Sequence, residues 1–296
     1  MIKLNDLTYL RLILTEEDNY PVMYSLSQEE VNIIGQDDQA MSPDDFKSII
    51  KFFADRGLKK VKFVGGEPLL YKHLEDLIAY AHDCGIEDIG MTTNGIGLGT
   101  RILDLKNLGL NSVNISLDSL KEYRYHALTG GGNLKEVYLS IDACQAANID
   151  VRINCVAIKD FNDDELVDFM RLTINSKLDV RLIELLPYNI SKNVYERGYM
   201  DLQEYIDNTE AIDRSDDEEL SVAQYFKIDG AQGRVGIIRA GSRDYEEDLR
   251  RVNVSNRGYM NVGPLQKNIY FIKPILGDEE ALEDIFYKKN KTLEYI

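Results

Sequence analysis

Short apolar runs alternate with stretches of helical periodicity through the first two thirds of the chain. Tyr9 to Leu14 reads as a first strand. Ser42-Pro43 then opens a helix whose Phe46, Ile49, Ile50 and Phe53 share one face, since residues three and four apart stack on the same side. Ser42 is its expected cap, Pro43 sits where a missing N–H costs nothing, Asp45 complements the positive end of the dipole, and Gly57 ends it. Lys60 to Val64 reads as the next strand, followed by a helix over His73 to Cys84 with Leu74, Leu77, Ile78, Ala81 and Cys84 on its buried stripe, closed by Gly85. The rhythm continues as strand Ile86 to Met91, helix Thr100 to Leu108, strand Ser112 to Ser116 and helix Asn133 to Ala147. Strand Val151 to Ile158, helix Asp163 to Arg171 and strand Val180 to Leu185 complete it.

Repeated strand-helix units need crossover connections and so predict parallel strands, with functional groups at the carboxyl ends where the loops open. The expected fold class is α/β: a partial (β/α)6 barrel over residues 1–187, followed over 188–296 by an acidic connector and a C-terminal α+β extension that completes or caps it. Asp207 to Glu219 is the acidic run, read as a solvated segment. Beyond it, Arg234 to Arg239, Arg251 to Val254 and Asn268 to Ile272 read as strands, and Glu279 to Tyr287 as a last helix before the basic Lys288-Lys289-Asn290-Lys291.

Composition narrows the function classes. A chain of 296 residues with 44% hydrophobic and 29% charged positions can bury its own core without disulfides or a structural metal. Its 34 basic and 51 acidic residues give a net charge of -17, which opposes attraction to nucleic-acid backbones and anionic membranes. The 18 Tyr and 9 Phe form no basic stacking surface, so neither nucleic acid nor membrane is an expected partner, whereas a local basic pocket for a nucleotide stays open. No signal-peptide core follows the opening residues and no run of about 18 apolar residues occurs, which points to the cytoplasm. Cys84, Cys144 and Cys155, with His73, His82 and His126, lack ligand spacing; the cysteines read as buried structural residues, and no metal site is assigned. His126 stands before the loop Leu128-Thr129-Gly130-Gly131-Gly132, which can approach the strand ends.

The densest signal for chemistry is Val64-Gly65-Gly66-Glu67-Pro68, directly after a strand. Paired glycines let backbone run close to a ligand, and Glu67 can orient an amine or the loop itself. Thr92-Thr93-Asn94-Gly95, Ser116-Leu117-Asp118-Ser119 and Asn154 end the following strands, so stacked strand ends would gather these groups around one pocket.

Together with Arg181-Leu182-Ile183-Glu184-Leu185-Leu186-Pro187, these motifs resemble the GTP 3',8-cyclases of molybdenum cofactor biosynthesis, a family of radical S-adenosylmethionine enzymes, from about Tyr9 to Gly263. The resemblance implies S-adenosylmethionine as cofactor, with Gly65, Gly66, Glu67 and Pro68 at its amino end. It places Thr92, Thr93, Asn94, Ser116, Asp118 and Asn154 around its ribose, carboxylate and adenine. The family's cluster loop, Cys-x3-Cys-x2-Cys, is matched here by Asp18, Val22 and Ser25. Its second cluster segment is matched by Glu246 to Ser255 and by Gly263, where Arg251 remains as a phosphate contact and Asn253 replaces the next arginine. Valine cannot ligate iron, and Asp and Ser are poor substitutes for soft thiolates, so no iron-sulfur cluster is expected and GTP cyclisation by the family mechanism is not either.

Three functional readings follow. The first is a cluster-less, noncatalytic binding or partner protein that keeps a small-molecule pocket. The second is a non-radical S-adenosylmethionine-dependent methyl or aminocarboxypropyl transferase using Glu16, Asp18, Tyr20 and Tyr24 in the altered loop, since the sulfonium is already an electrophile. The third is a nucleotide-binding regulator with Arg251, Arg250 and Lys62 as contacts. By resemblance a homodimer is a reasonable assembly.

Overall fold

The computed structural model describes residues 7–20, 22, 40–187, 190–209, 223–239, 250–263 and 269–287. Strand β1 (Tyr9–Ile13) leads, after the segment that carries the loop beyond it, to helix α1 (Pro43–Ala54). Ser42 Oγ accepts the Asp45 N–H at 3.2 Å and Asp45 Oδ2 accepts the Ser42 N–H at 2.7 Å, a reciprocal capping box. Ser42→Ala strands one of these donors at the helix start, and chemical denaturation should show a loss of about 1 kcal/mol.

The chain continues through β2 (Lys60–Val64), α2 (Leu74–Asp83), β3 (Asp88–Thr93), α3 (Leu98–Asn107) and β4 (Ser112–Ser116). Next come α4 (Glu122–Thr129), α5 (Leu134–Ala146), β5 (Asp150–Ala157), α6 (Leu166–Arg171) and β6 (Asp179–Glu184). The later region holds α7 (Lys192–Gly198), α8 (Leu202–Asp207), β7 (Gln224–Phe226), β8 (Val235–Ile238), β9 (Arg251–Val254), β10 (Tyr259–Val262), β11 (Ile269–Phe271) and α9 (Glu279–Tyr287). Sequence periodicity did not find α4, whose only buried residues are Tyr125, Leu128 and Thr129. The same holds for α7 and α8 and for the short strands β7 and β10, which carry too few buried positions to set a period. His126 is exposed on α4 and its carbonyl accepts the Gly131 N–H at 2.9 Å, so the glycine run ends a helix. Of the acidic run, Asp207 closes α8, and 210–219 lie outside the described residues, as does the basic segment at 288–291.

The strands form one sheet in the order β11-β10-β9-β1-β2-β3-β4-β5-β6-β8-β7. Pairing is parallel from β1 through β6 and on to β8, and β9 joins β1 in parallel; β7, β10 and β11 are antiparallel additions. The C-terminal extension therefore adds strands to both edges of the central sheet. Leu10, Leu12, Val61, Phe63, Ile89, Met91, Val113, Ile115, Ile153, Val180 and Leu182 occupy one face and are buried in a single core with the helices. The alternate residues face the other way. The sheet curls around that second face: Tyr9 on β1 feels the charge of Arg181 on β6, whereas five spacings of a flat sheet would hold them ~24 Å apart. The result is a partial barrel with a polar lumen. Among the described residues no helix is long and apolar enough to cross a membrane.

Candidate functional site

The site is built where β1, β2 and β3 end. Past β1, the chain at Thr15–Glu17 lies against the Gly65-Gly66 turn: the Gly66 N–H donates to the Thr15 carbonyl at 2.8 Å and the Glu67 N–H to the Glu17 carbonyl at 2.7 Å. A Cβ on Gly65 would stand 2.7 Å from the Thr15 carbonyl oxygen, and one on Gly66 would stand 2.2 Å from that of Glu17. Neither glycine has a positive φ, so close approach of the chain to itself is what requires them.

Glu67 is only 1% exposed. Its carboxylate accepts the Leu69 N–H at 3.0 Å, the Thr93 hydroxyl at 2.7 Å and the Asn94 N–H at 2.7 Å. Burial raises its proton affinity, and these donors act in the opposite sense. Glu67, Thr93 and Asn94 thus lock the exit of β2 to that of β3. Pro68 begins the buried turn that follows. Asn94 also donates from Nδ2 to Asn19 Oδ1 at 2.8 Å, which ties the same lock to the loop after β1.

That loop is anchored on its other side by Arg257, from the turn after β9, whose Nε and Nη2 reach the two Glu16 oxygens at 2.9 and 3.1 Å. Asp18 Oδ1 accepts the Tyr20 N–H at 2.9 Å, a local turn. Tyr20 is half-buried, and the Tyr125 hydroxyl on α4 is buried with no hydrogen-bond partner among the described residues. Tyr24 lies outside the described residues. Asp118 is buried and accepts the Val156 N–H at 2.7 Å, and Ser116 is exposed at the end of β4. The Arg250 carbonyl accepts the Thr8 N–H at 3.0 Å just before β9.

The lumen lies below these loops. Register places Arg11, Lys62, Gly90 and Ser112 side by side across β1 to β4, then Thr92, Asn114 and Arg152, then Ser116, Asn154 and Arg181. Arg251 and Asn253 of β9 face the same way beside Tyr9 and Arg11. The Oδ1 atoms of Asn114 and Asn154 and the Nε atoms of Arg152 and Arg251 are buried with no hydrogen-bond partner among the described residues. The Lys62 ammonium is disfavoured by burial and by Arg181, Arg152 and Lys60, with Asp88 opposing, so its proton affinity falls well below that of a free lysine. Burial alone would raise the Asp88 carboxyl, but Lys60, Lys62 and Arg152 hold it below its ordinary value.

The sequence motifs named the loop residues and Lys62, Asn154 and Arg251 of the lumen. They missed Arg11, Asn114, Arg152 and Arg181 as lumen groups, and Arg257 and Asn19 as anchors. The available signal was alternation: strands parallel on both sides are ordinarily apolar on both faces, and here most alternate residues of β2 to β6 are polar. The cysteines sit elsewhere. Cys144 and Cys155 are fully buried, burial pushing the Cys144 thiol up to about 12, and Cys84 is half-buried where α2 ends. Among the described residues no group of three or more His, Cys, Asp and Glu side chains is placed to hold a metal ion.

Residues 27–173 match the model of the radical SAM superfamily. The GTP 3',8-cyclase of Clostridium perfringens strain 13 is 36% identical over 259 residues, covering 86% of this chain and 80% of its own. That of Clostridium botulinum strain Hall is 32% identical over 296 residues, covering 98% and 92%. Among solved structures, Streptococcus suis SuiB bound to S-adenosylmethionine shares the fold with a TM-score of 0.61 at 14% identity; the match covers 96% of this chain, which spans about 64% of SuiB. On the identity and coverage of the two clostridial proteins, the chain belongs to the radical SAM superfamily and, within it, to the family of the GTP 3',8-cyclases.

Proposed function

We propose that this chain is a cluster-less member of its family that binds a phosphorylated small molecule, a nucleotide, in the barrel lumen and performs no radical chemistry. One observation carries the reading: in a chain of net charge -17, the guanidinium groups of Arg11, Arg152, Arg181 and Arg251 project from one sheet face into one space, with the Lys62 amine among them. Such a concentration of positive charge in a low-dielectric concavity favours a multiply charged anion, and the unpartnered Asn114 and Asn154 carbonyl oxygens suit the amine or hydroxyl donors of a nucleoside.

The donor set supports the cluster-less half. The loop after β1 offers carboxylates already engaged, Glu16 with Arg257 and Asp18 with its own turn, and every cysteine lies outside that loop. Three thiolates are what a low-potential four-iron cluster needs, and none is there. S-adenosylmethionine has a better fit. The Gly66 and Glu67 amides are taken by the loop, so the Gly65 and Gly66 carbonyls would be that turn's acceptors for its amine, and Asn154 Oδ1 would be an acceptor further in. When bound it would supply an electrophilic sulfonium, which keeps the polar transferase as the second reading.

Calorimetric titration with magnesium-free GTP tests the first. Saturable binding is expected to weaken as salt rises and to lose at least about tenfold in affinity in Arg181→Ala, whose charge faces the lumen. Arg181 also contacts the Tyr225 hydroxyl, so the variant is compared with Tyr225→Phe, which keeps the charge and should keep the affinity. Absence of GTP binding by the folded wild type, or equal affinity in Arg181→Ala, would sink the nucleotide reading. Iron and sulfide analysis after anaerobic reconstitution addresses the other half, since a stoichiometric cluster would overturn it.

A further inference from the structure

Lys62 is only 6% exposed, and among the described residues its amine has neither a hydrogen bond nor an ion pair. Its side chain runs over Gly90 toward β4: a Cβ on Gly90 would stand 2.9 Å from Lys62 Cε and 2.6 Å from Ser112 Oγ. The missing side chain at Gly90 is therefore the clearance that lets a long amine lie flat against the lumen wall. The groups around it are mostly cationic. Arg11 with Tyr9 comes from β1, Lys60 from its own strand, uncharged Ser112 and Asn114 from β4, Arg152 from β5 and Arg181 from β6. The carboxylates of the same face are engaged or peripheral: Asp88 pairs with Lys60 at 2.7 Å, Asp179 with Arg234 at 2.8 Å, and Asp150 is exposed at the start of β5.

We propose that anion binding in the lumen is coupled to protonation of Lys62, which stands as a neutral amine in the free protein and becomes an ammonium in the complex, taking its proton from solvent. This rests on the nucleotide reading given above and adds its regulation. In the free lumen, an ammonium at Lys62 would be buried beside guanidinium groups, with no carboxylate paired to it among the described residues and Asp88 already paired with Lys60. A bound polyanion reverses that balance, because it lies near both the guanidinium groups and the amine and accepts the hydrogen bonds that the amine lacks. Arginine at the same position would remain charged in both states and could not couple. The linkage has a definite sign. Between the lysine's proton affinity in the free protein and its higher value in the complex, binding takes up as much as one proton, so affinity falls by up to about tenfold per pH unit as pH rises. Below that window it is flat. Ligand is thus held at lower pH and released as the pH rises.

The test is calorimetry with magnesium-free GTP near pH ~8, where the terminal phosphate, with its second ionisation near ~6, is already fully charged. Repeating the titration in two buffers of different ionisation enthalpy gives the number of protons taken up per ligand bound. The expected result is between about one half and one proton for the wild type. For Lys62→Arg it is near zero, with affinity within about tenfold of the wild type. Binding without proton uptake, or the same uptake in Lys62→Arg, overturns the coupling while leaving the nucleotide reading intact. Failure of the wild type to bind either GTP or inorganic triphosphate overturns that reading and the coupling with it. Should Lys62→Arg not fold, as circular dichroism would show, the wild type alone decides: affinity independent of pH above about 7.5 refutes the proposal.

Discussion

Gly66→Ala is expected to lower the melting temperature by about 5–10 °C, a large effect for the addition of one methyl group. A Cβ there would stand 2.2 Å from the Glu17 carbonyl oxygen and 2.9 Å from that of Glu16, closer than non-bonded atoms can sit. Relief by a small shift is blocked, because the amides of Gly66 and Glu67 are bonded to the Thr15 and Glu17 carbonyls at 2.8 and 2.7 Å. Either those bonds break or the loop moves away with its ties to Asn94 and Arg257. Overpacking costs about 1–3 kcal/mol and each stranded amide about 1–3 more, which outweighs the ~0.4–1 kcal/mol that alanine contributes by restricting the unfolded chain. Circular dichroism melts check the first point, and limited proteolysis around Glu17 checks whether the loop is released. An unchanged melting temperature would mean that the loop after β1 is free to yield. The consequence for ligand work is direct: binding lost in a Gly66 variant reports on the loop before it reports on a ligand contact.

The alternating architecture was legible because its signals are local. Ser42 and Pro43 marked the start of α1, and the strands β2, β4 and β9 begin and end where their apolar runs do. The edges of the sheet were not legible, since whether Arg251–Val254 pairs with the first strand and Val235–Ile238 with the sixth depends on long-range pairing that no local pattern encodes. The glycine-rich motif was visible as a close approach, but its partner was not. It is the chain's own Thr15–Glu17 segment that fills the space where a side chain would be.

Charge tells the same story at longer range. The net charge of -17 describes the outside of the molecule, whereas Arg11, Lys62, Arg152, Arg181 and Arg251 are gathered inside by strand register. Summing charges along the chain cannot separate those two populations. The period-two alternation on strands that should be apolar on both faces does separate them, because a polar residue is tolerated there only where the face lines a cavity.

Glu67→Ala should be the more damaging change, costing roughly 3–5 kcal/mol in equilibrium unfolding by urea. The carboxylate is 1% exposed and receives three donors, from Leu69, Thr93 and Asn94. Alanine leaves all three facing a void, each at ~1–3 kcal/mol, and entry of a water recovers part of the total. Glu67→Gln separates shape from charge. It fills the same volume but turns an amide donor toward one of the N–H groups, so a smaller loss of about 1.5–3 kcal/mol is expected. Its pH dependence has a fixed sign. Burial raises the folded-state proton affinity of Glu67 above the free value of 4.5, so the folded state holds the proton more tightly. The wild type therefore loses stability relative to Glu67→Gln as pH rises from about 4.5 through the folded-state value, and its advantage is greatest on the acid side. The two variants also distinguish a structural lock from a ligand contact. If Glu67→Ala unfolds within about 1 kcal/mol of the wild type, the carboxylate is not what joins β2 to β3, and its place in the family motif must be explained by a bound amine.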